Sequence, residues 1–148
     1  MRQLIIICLA VCTISMMPLQ STDHLQSYRW KNRLMLVFSP SDENPLFKTQ
    51  MEEVTMHKPG MKERDMVVFE LLASSGKSSD QSAVSAKMVA DLRSHYGVGQ
   101  NDFKVILIGK DGGEKLRKAE VLYVDELYPF IDAMPMRRQE MKKKSNQH

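Results

Sequence analysis

Two stretches of the sequence gather side chains able to bind or to do chemistry. The first is Ser41-Asp42-Glu43-Asn44, which places a hydroxyl, two carboxylates and an amide in consecutive positions. Asn44 followed by Pro45 signals a helix start, because Asn caps free amides and Pro is tolerated at the first helical position. A helix N-terminus favours an anion. Ser41, Asp42, Glu43 and Asn44 are therefore the ligand-binding candidates, with an envelope enzyme acting on a substrate anion as one reading and a surface turn as the other. The second stretch is Arg137-Arg138 with Lys142-Lys143-Lys144. Clustered charge steers association with an acidic protein or with anionic lipid heads. Arg137 and Arg138 are the partner-binding candidates, against a solvated basic terminus.

Other motifs are weaker. Gly76-Lys77-Ser78 ends like a phosphate loop, but that motif needs a glycine five residues before Gly76, and Leu71 stands there. A mobile serine-rich loop fits better. The chain has 12 methionines. Met134, Met136 and Met141 offer thioethers to copper(I), while flexible core packing accounts for methionine generally. His24, His57, His95 and His148 form no close pair. No G-x-S-x-G, H-E-x-x-H or paired zinc motif is present. No catalytic residue, metal or cofactor is assigned.

The N-terminus reads as a targeting segment. Met1, Arg2 and Gln3 precede an apolar run over residues 4–14, then Ser15, Met16, Met17 and Pro18. The run is shorter than the roughly 20 residues a spanning helix needs and has the length of a signal-peptide core. Residues 1–21 are read as an export signal, cleaved after Ser15 or Ser21. Leu9-Ala10-Val11-Cys12 resembles a bacterial lipoprotein box, with Val11 where a small residue is usual, so a lipid anchor at Cys12 is the alternative. Cys8 and Cys12 are the only cysteines. The folded domain, residues 22–136, then has no thiol pair and must be held by its core. A net charge of +3 over 148 residues falls short of a nucleic-acid signature, and no transmembrane segment is expected beyond the leader.

The elements that position these residues follow from pattern. Residues 32–38 contain the continuous apolar run Leu34-Met35-Leu36-Val37-Phe38, and residues 66–72 are apolar apart from Glu70, as in strands covered on both faces. Between them Phe47, Met51 and Val54 share one helix face, and Pro59-Gly60 is expected to end that helix. Residues 74–82 read as a loop and 82–96 as a second helix, with Gly97 as its stop. Residues 103–108 form a third strand and Lys110-Asp111-Gly112-Gly113 a hairpin turn. Residues 114–118, rich in charge, suit an edge strand. Asp125 is expected to cap a last helix closed by Pro135, and residues 137–148 read as a flexible basic tail. The order β-α-β-α-β-β-α, with a right-handed first crossover, predicts an α/β fold of thioredoxin-like type: a four-stranded mixed sheet with helices on both faces.

Four blocks carry a family resemblance. They are Tyr28-Arg29-Trp30-Lys31-Asn32-Arg33 leading into residues 34–39, Glu63-Arg64-Asp65, residues 103–113 ending in Lys110-Asp111-Gly112-Gly113, and residues 131–141 with Met134-Pro135-Met136-Arg137-Arg138-Gln139-Glu140-Met141. With these, the chain resembles a bacterial family of exported domains related to domains of animal sushi-repeat extracellular proteins and of coiled-coil-domain-containing protein 80. The resemblance implies a peroxiredoxin- or thioredoxin-like fold and no established activity. Matrix association and adhesion belong to the multidomain animal relatives. Thioredoxin-like enzymes place a thiolate after the first strand, where the helix terminus stabilises it. Here Ser41-Asp42-Glu43-Asn44 fills that place, and Asn101-Asp102 replaces the proline expected before the third strand. Neither a hydroxyl nor a carboxylate performs thiol exchange. The expected role is a non-redox binding or adaptor module whose partner is a protein or acidic surface in the envelope.

Overall fold

A computed structural model of the chain describes residues 23–147. The expectations for residues 1–22, including the leader, its cleavage and Cys12, lie outside the described residues. After a 3-10 turn at Asp23–Tyr28, strand β1 (Arg33–Phe38) leads to helices α1 (Pro45–Met56) and α2 (Lys58–Glu63). Strands β2 (Met66–Leu71) and β3 (Gly76–Ser78) precede helix α3 (Ala86–Tyr96). Strands β4 (Lys104–Ile108) and β5 (Glu114–Lys118) then lead to helices α4 (Val124–Asp132) and α5 (Pro135–Ser145).

The sheet order is β3-β2-β1-β4-β5, with β1 and β2 parallel and the other neighbours antiparallel. The four expected strands form its centre and one edge. The fifth, β3, is the serine-rich segment read from sequence as a loop. Three residues suffice because Phe69, Glu70 and Leu71 of β2 supply the ladder, and the Ser79 hydroxyl extends it by accepting from the Val68 amide at 2.9 Å.

Alternation along the strands builds a core on each face. Met35, Val37, Val68, Val105 and Leu107 pack with α1, α2 and α4 through Phe47, Val54, Met61, Leu127 and Ile131. Leu34, Leu36, Phe38, Phe69 and Ile106 pack on the other face against Met88, Val89 and Leu92 of α3. The central strands are buried at every position of β1, which is why their sequences read as unbroken apolar runs.

Helix boundaries follow local chemistry. The Asn44 side chain accepts from the amides of Leu46 and Phe47, capping α1. Pro59 does not end helical structure. It occupies the first turn of α2, where a missing amide costs nothing. Helix α3 starts later than its apolar pattern suggests, because Ser85 caps it and accepts from Met88 N–H. Gly97 ends it at φ 62°. The hairpin turn needs only one left-handed residue, Gly112 at φ 83°, with a register shift beside Ile108 absorbing the twist. Asp125 does not cap α4. Tyr123 is the N-cap, and Glu53 of α1 accepts the Val124 N–H at 2.9 Å. Pro129 lies inside α4 without ending it. Helix α4 ends at Asp132, before Pro135, and Pro135 opens a further helix, α5.

Gln50, fully buried on α1, donates to the Leu122 carbonyl at 3.1 Å and accepts from its amide at 2.7 Å. The side chain thus completes both backbone valences of a segment that belongs to no strand. Gln50→Leu strands a buried donor and acceptor together, and urea unfolding should show a loss of about 2–4 kcal/mol.

Candidate functional site

The end of the sheet at the C-terminus of β1 is where thioredoxin-like enzymes hold their nucleophile. Ser41, Asp42 and Glu43 are exposed there and Asn44 is committed to its cap. The Ser39 hydroxyl donates to the Ser41 carbonyl at 2.7 Å. Beneath them the buried Arg93 donates to the carbonyls of Ser39, Leu71 and Gly99. Its charge is spent on backbone rather than facing a ligand, and burial lowers its pKa. The concavity described below is not lined by Ser41, Asp42, Glu43 or Asn44.

The chemistry-bearing residues converge at the opposite end, here called the basal end. Topology dictates this: β1 and β2 both start there and β4 finishes there. Arg33, Arg64-Asp65 and Lys110 stand at these strand ends, and α5 lies across them. Arg33 is 1% exposed. It donates to the Arg64 carbonyl at 2.9 Å and, through both terminal nitrogens, to the two Glu140 oxygens at 3.1 and 3.2 Å. Lys110 bridges Asp65 at 2.7 Å and Glu140 at 2.8 Å. Arg137, also 1% exposed, pairs with Glu63 at 2.7 Å and Asp132 at 3.0 Å. Arg64 pairs with Asp132 at 2.6 Å and lies 3.9 Å above the Tyr128 ring.

Four cations thus meet four carboxylates, Glu63, Asp65, Asp132 and Glu140. Burial opposes ionisation of Glu140, but hydrogen bonds from Lys110 and Arg33 outweigh it and its pKa falls below the ordinary glutamate value. For Asp132 burial is likewise overcome, by hydrogen bonds from Arg64 and Arg137. Burial alone would lower the Arg137 pKa, yet bonds to Asp132 and Glu63 raise it. The groups pair with one another, and only the buried Nε of Arg33 and of Arg64 stay without a partner among the described residues. This cluster locks structure.

Two expectations change here. Of the residues read as a basic tail, those to Ser145 lie in α5, which is pinned by Arg137 and Glu140. Of the two partner-binding candidates, Arg137 is buried within the ion-paired cluster and Arg138 is exposed. Met134 packs against the α1–α4 core and Met136 faces solvent, so the two thioethers occupy different environments. Sequence reasoning quoted Arg33, Glu63, Arg64, Asp65, Lys110 and Glu140 only as family blocks. The signal that groups them was available: charged residues abutting three apolar strands whose topology puts those ends together.

Beside the locked cluster, a concavity of about 480 Å³ opens on the α3 face. Leu25, Leu34 and Ile108 contribute apolar surface, and Arg29, Asn32 and His95 polar groups. Next to it Trp30 is 61% exposed and held at φ 65°, a left-handed conformation rare for a bulky side chain. Its amide donates to the Lys110 carbonyl at 2.6 Å, and the Arg29 guanidinium lies 5.3 Å from its ring centroid.

These features define a thioredoxin-like α/β domain. The chain is structurally similar to a reduced 2-Cys peroxiredoxin of Plasmodium vivax, with TM-score 0.55 and 17% identity over 80% of this chain and 84% of that one. Within that class the chain belongs to the family described as Domain of unknown function (DUF4174), whose model matches residues 24–140. It is 26% identical over 140 residues to coiled-coil domain-containing protein 80 of Danio rerio, covering 84% of this chain and 16% of the relative. It is 26% identical over 127 residues to sushi repeat-containing protein SRPX2 of Rattus norvegicus, and 25% to the Homo sapiens protein, covering 83% of this chain and 27% of each. The chain therefore spans a minor part of these relatives' length.

Arg137→Ala removes a buried guanidinium and its bonds to the partly exposed Glu63 and Asp132 and should cost about 1.5–3 kcal/mol in urea unfolding, whereas Arg138→Ala should stay within about 0.5 kcal/mol. Asp132 and Glu140 have depressed pKa values in the folded state. Their contribution is complete above the unfolded carboxylate range, about 4, and is lost as pH falls through the lower folded values. The thermal midpoint should therefore drop in acid, and Glu140→Gln should be less stable at neutral pH with a shallower acid dependence.

Proposed function

We propose that this domain is a non-redox binding module, exported to the envelope or cell exterior, whose contact surface is the basal end around Trp30. The observation that carries the reading is the presentation of Trp30: an exposed indole held in an unfavourable backbone conformation by a hydrogen bond to Lys110. Strain of that kind persists where the surrounding structure over-determines it and clusters at functional sites. Trp and Arg also dominate binding energy at interfaces. Arg138, exposed on α5, belongs to the same surface in this reading.

A second observation supports the non-redox half. Both cysteines precede residue 23, so the domain supplies no thiolate after β1. Export itself rests on the leader sequence. No helix of the described residues is long and apolar enough to cross a membrane.

The test pairs two assays on protein purified as the cell processes it. Insulin-disulfide reduction and peroxide consumption should stay at background. A photoreactive residue in place of Trp30 should crosslink to a distinct cellular component, with far less product from the same residue placed at Asp42. Turnover in either redox assay, or equal crosslinking from both ends, would overturn the reading.

A further inference from the structure

The basal end carries a charge pattern that the buried cluster does not use. Once Arg33, Arg64, Lys110 and Arg137 are matched to their carboxylates, six further cations remain on the Trp30 segment and α5: Arg29, Lys31, Arg138, Lys142, Lys143 and Lys144. All six are exposed, and none has an ion-pair partner among the described residues. Asp111 of the adjoining turn is taken by Lys115 at 2.7 Å. The opposite end presents Asp42, Glu43 and Asp102 against Lys48 and Lys104 and has no such excess. A chain of net charge +3 therefore concentrates its positive charge at one end.

We propose that this end docks on an anionic lipid surface, with Trp30 seated among the headgroups and the six cations around it. The inference rests on the binding-module reading above and names its partner. Three features favour lipid over an acidic protein. First, four of the six cations are lysines, point charges suited to a diffuse anionic layer, whereas recognition of a fixed carboxylate favours the arginine fork. Second, Trp30 stands outward rather than in a recess, and indole rings partition to the membrane–water boundary, apolar body in and N–H out. Met136, exposed on α5, adds an apolar group to the same helix as four of the cations. Third, the ion-paired cluster fixes α5 and the Trp30 segment together. The cations are thus presented on one rigid end, without the ordering cost a flexible tail would meet.

Trp30 is the chain's single tryptophan, so its emission reports directly on this face. The test uses the full chain as the cell processes it, with two vesicle preparations: phosphatidylcholine alone, and phosphatidylcholine with a third of the lipid as phosphatidylglycerol. The protein should sediment with the anionic vesicles only, its emission should shift to the blue, and both effects should fade with added salt. K142Q/K143Q/K144Q should weaken binding by on the order of 100-fold. Arg29→Gln with Lys31→Gln, which leaves α5 intact, should weaken it by at least tenfold on the same scale. Equal binding to both vesicles, or anionic binding without an emission shift, would overturn the proposal. So would absence of binding at low salt. If vesicles are ignored while the photoreactive residue at position 30 still captures a protein, the lipid assignment fails and the module reading stands. If both are negative, both fail.

Discussion

Glu140 seated between Arg33 and Lys110 is the contact on which the basal end depends. Arg33 opens a strand buried at every position. A guanidinium so placed, without a counter-charge, would cost several kcal/mol. The carboxylate that neutralises it comes from α5, a helix with one buried residue, Arg137. Apolar burial therefore cannot be what docks α5. The same ion pairs that make the strand ends tolerable attach the helix.

That arrangement inverts the usual use of this fold. Thioredoxin-like enzymes keep an electrostatically tuned, partly open position after the first strand. In this chain that position holds local bonding instead: Asn44 is a cap, the Ser39 hydroxyl turns back on its loop, and Arg93 donates to three carbonyls. Titratable groups and an exposed aromatic have gathered at the other end. Fold similarity at 17% identity speaks for the scaffold. The site has to be argued from where the side chains sit.

Most of the scaffold was legible in the sequence because its signals are local and strong. Continuous apolar runs, the Asn44-Pro45 start, Gly97 and the Asp-Gly turn specify β1, α1, the end of α3 and the hairpin through nearest-neighbour chemistry. The failures share a different cause. Strand β3 exists because β2 offers it a ladder, α4 is capped by Glu53 from another helix, and α5 folds onto carboxylates and cations far away in sequence. Each is fixed by a tertiary partner that local propensity does not contain. Arg137 shows the limit most clearly. In a run of basic residues it looks like the others, and only Glu63 and Asp132 distinguish it from exposed Arg138.

Structural and binding roles are not separable at this end. A non-glycine residue in the left-handed region costs of order 1–3 kcal/mol and needs its surroundings to impose it. For Trp30 the constraint is the bond from its amide to the Lys110 carbonyl. Lys110 is itself held by its side chain, which reaches Asp65 and Glu140. The chain of dependence thus runs from α5 through one carboxylate and one lysine to the backbone that aims the indole. A cluster whose charges are matched among themselves still governs contact at this end in the proposed reading, because it fixes the backbone that carries Trp30.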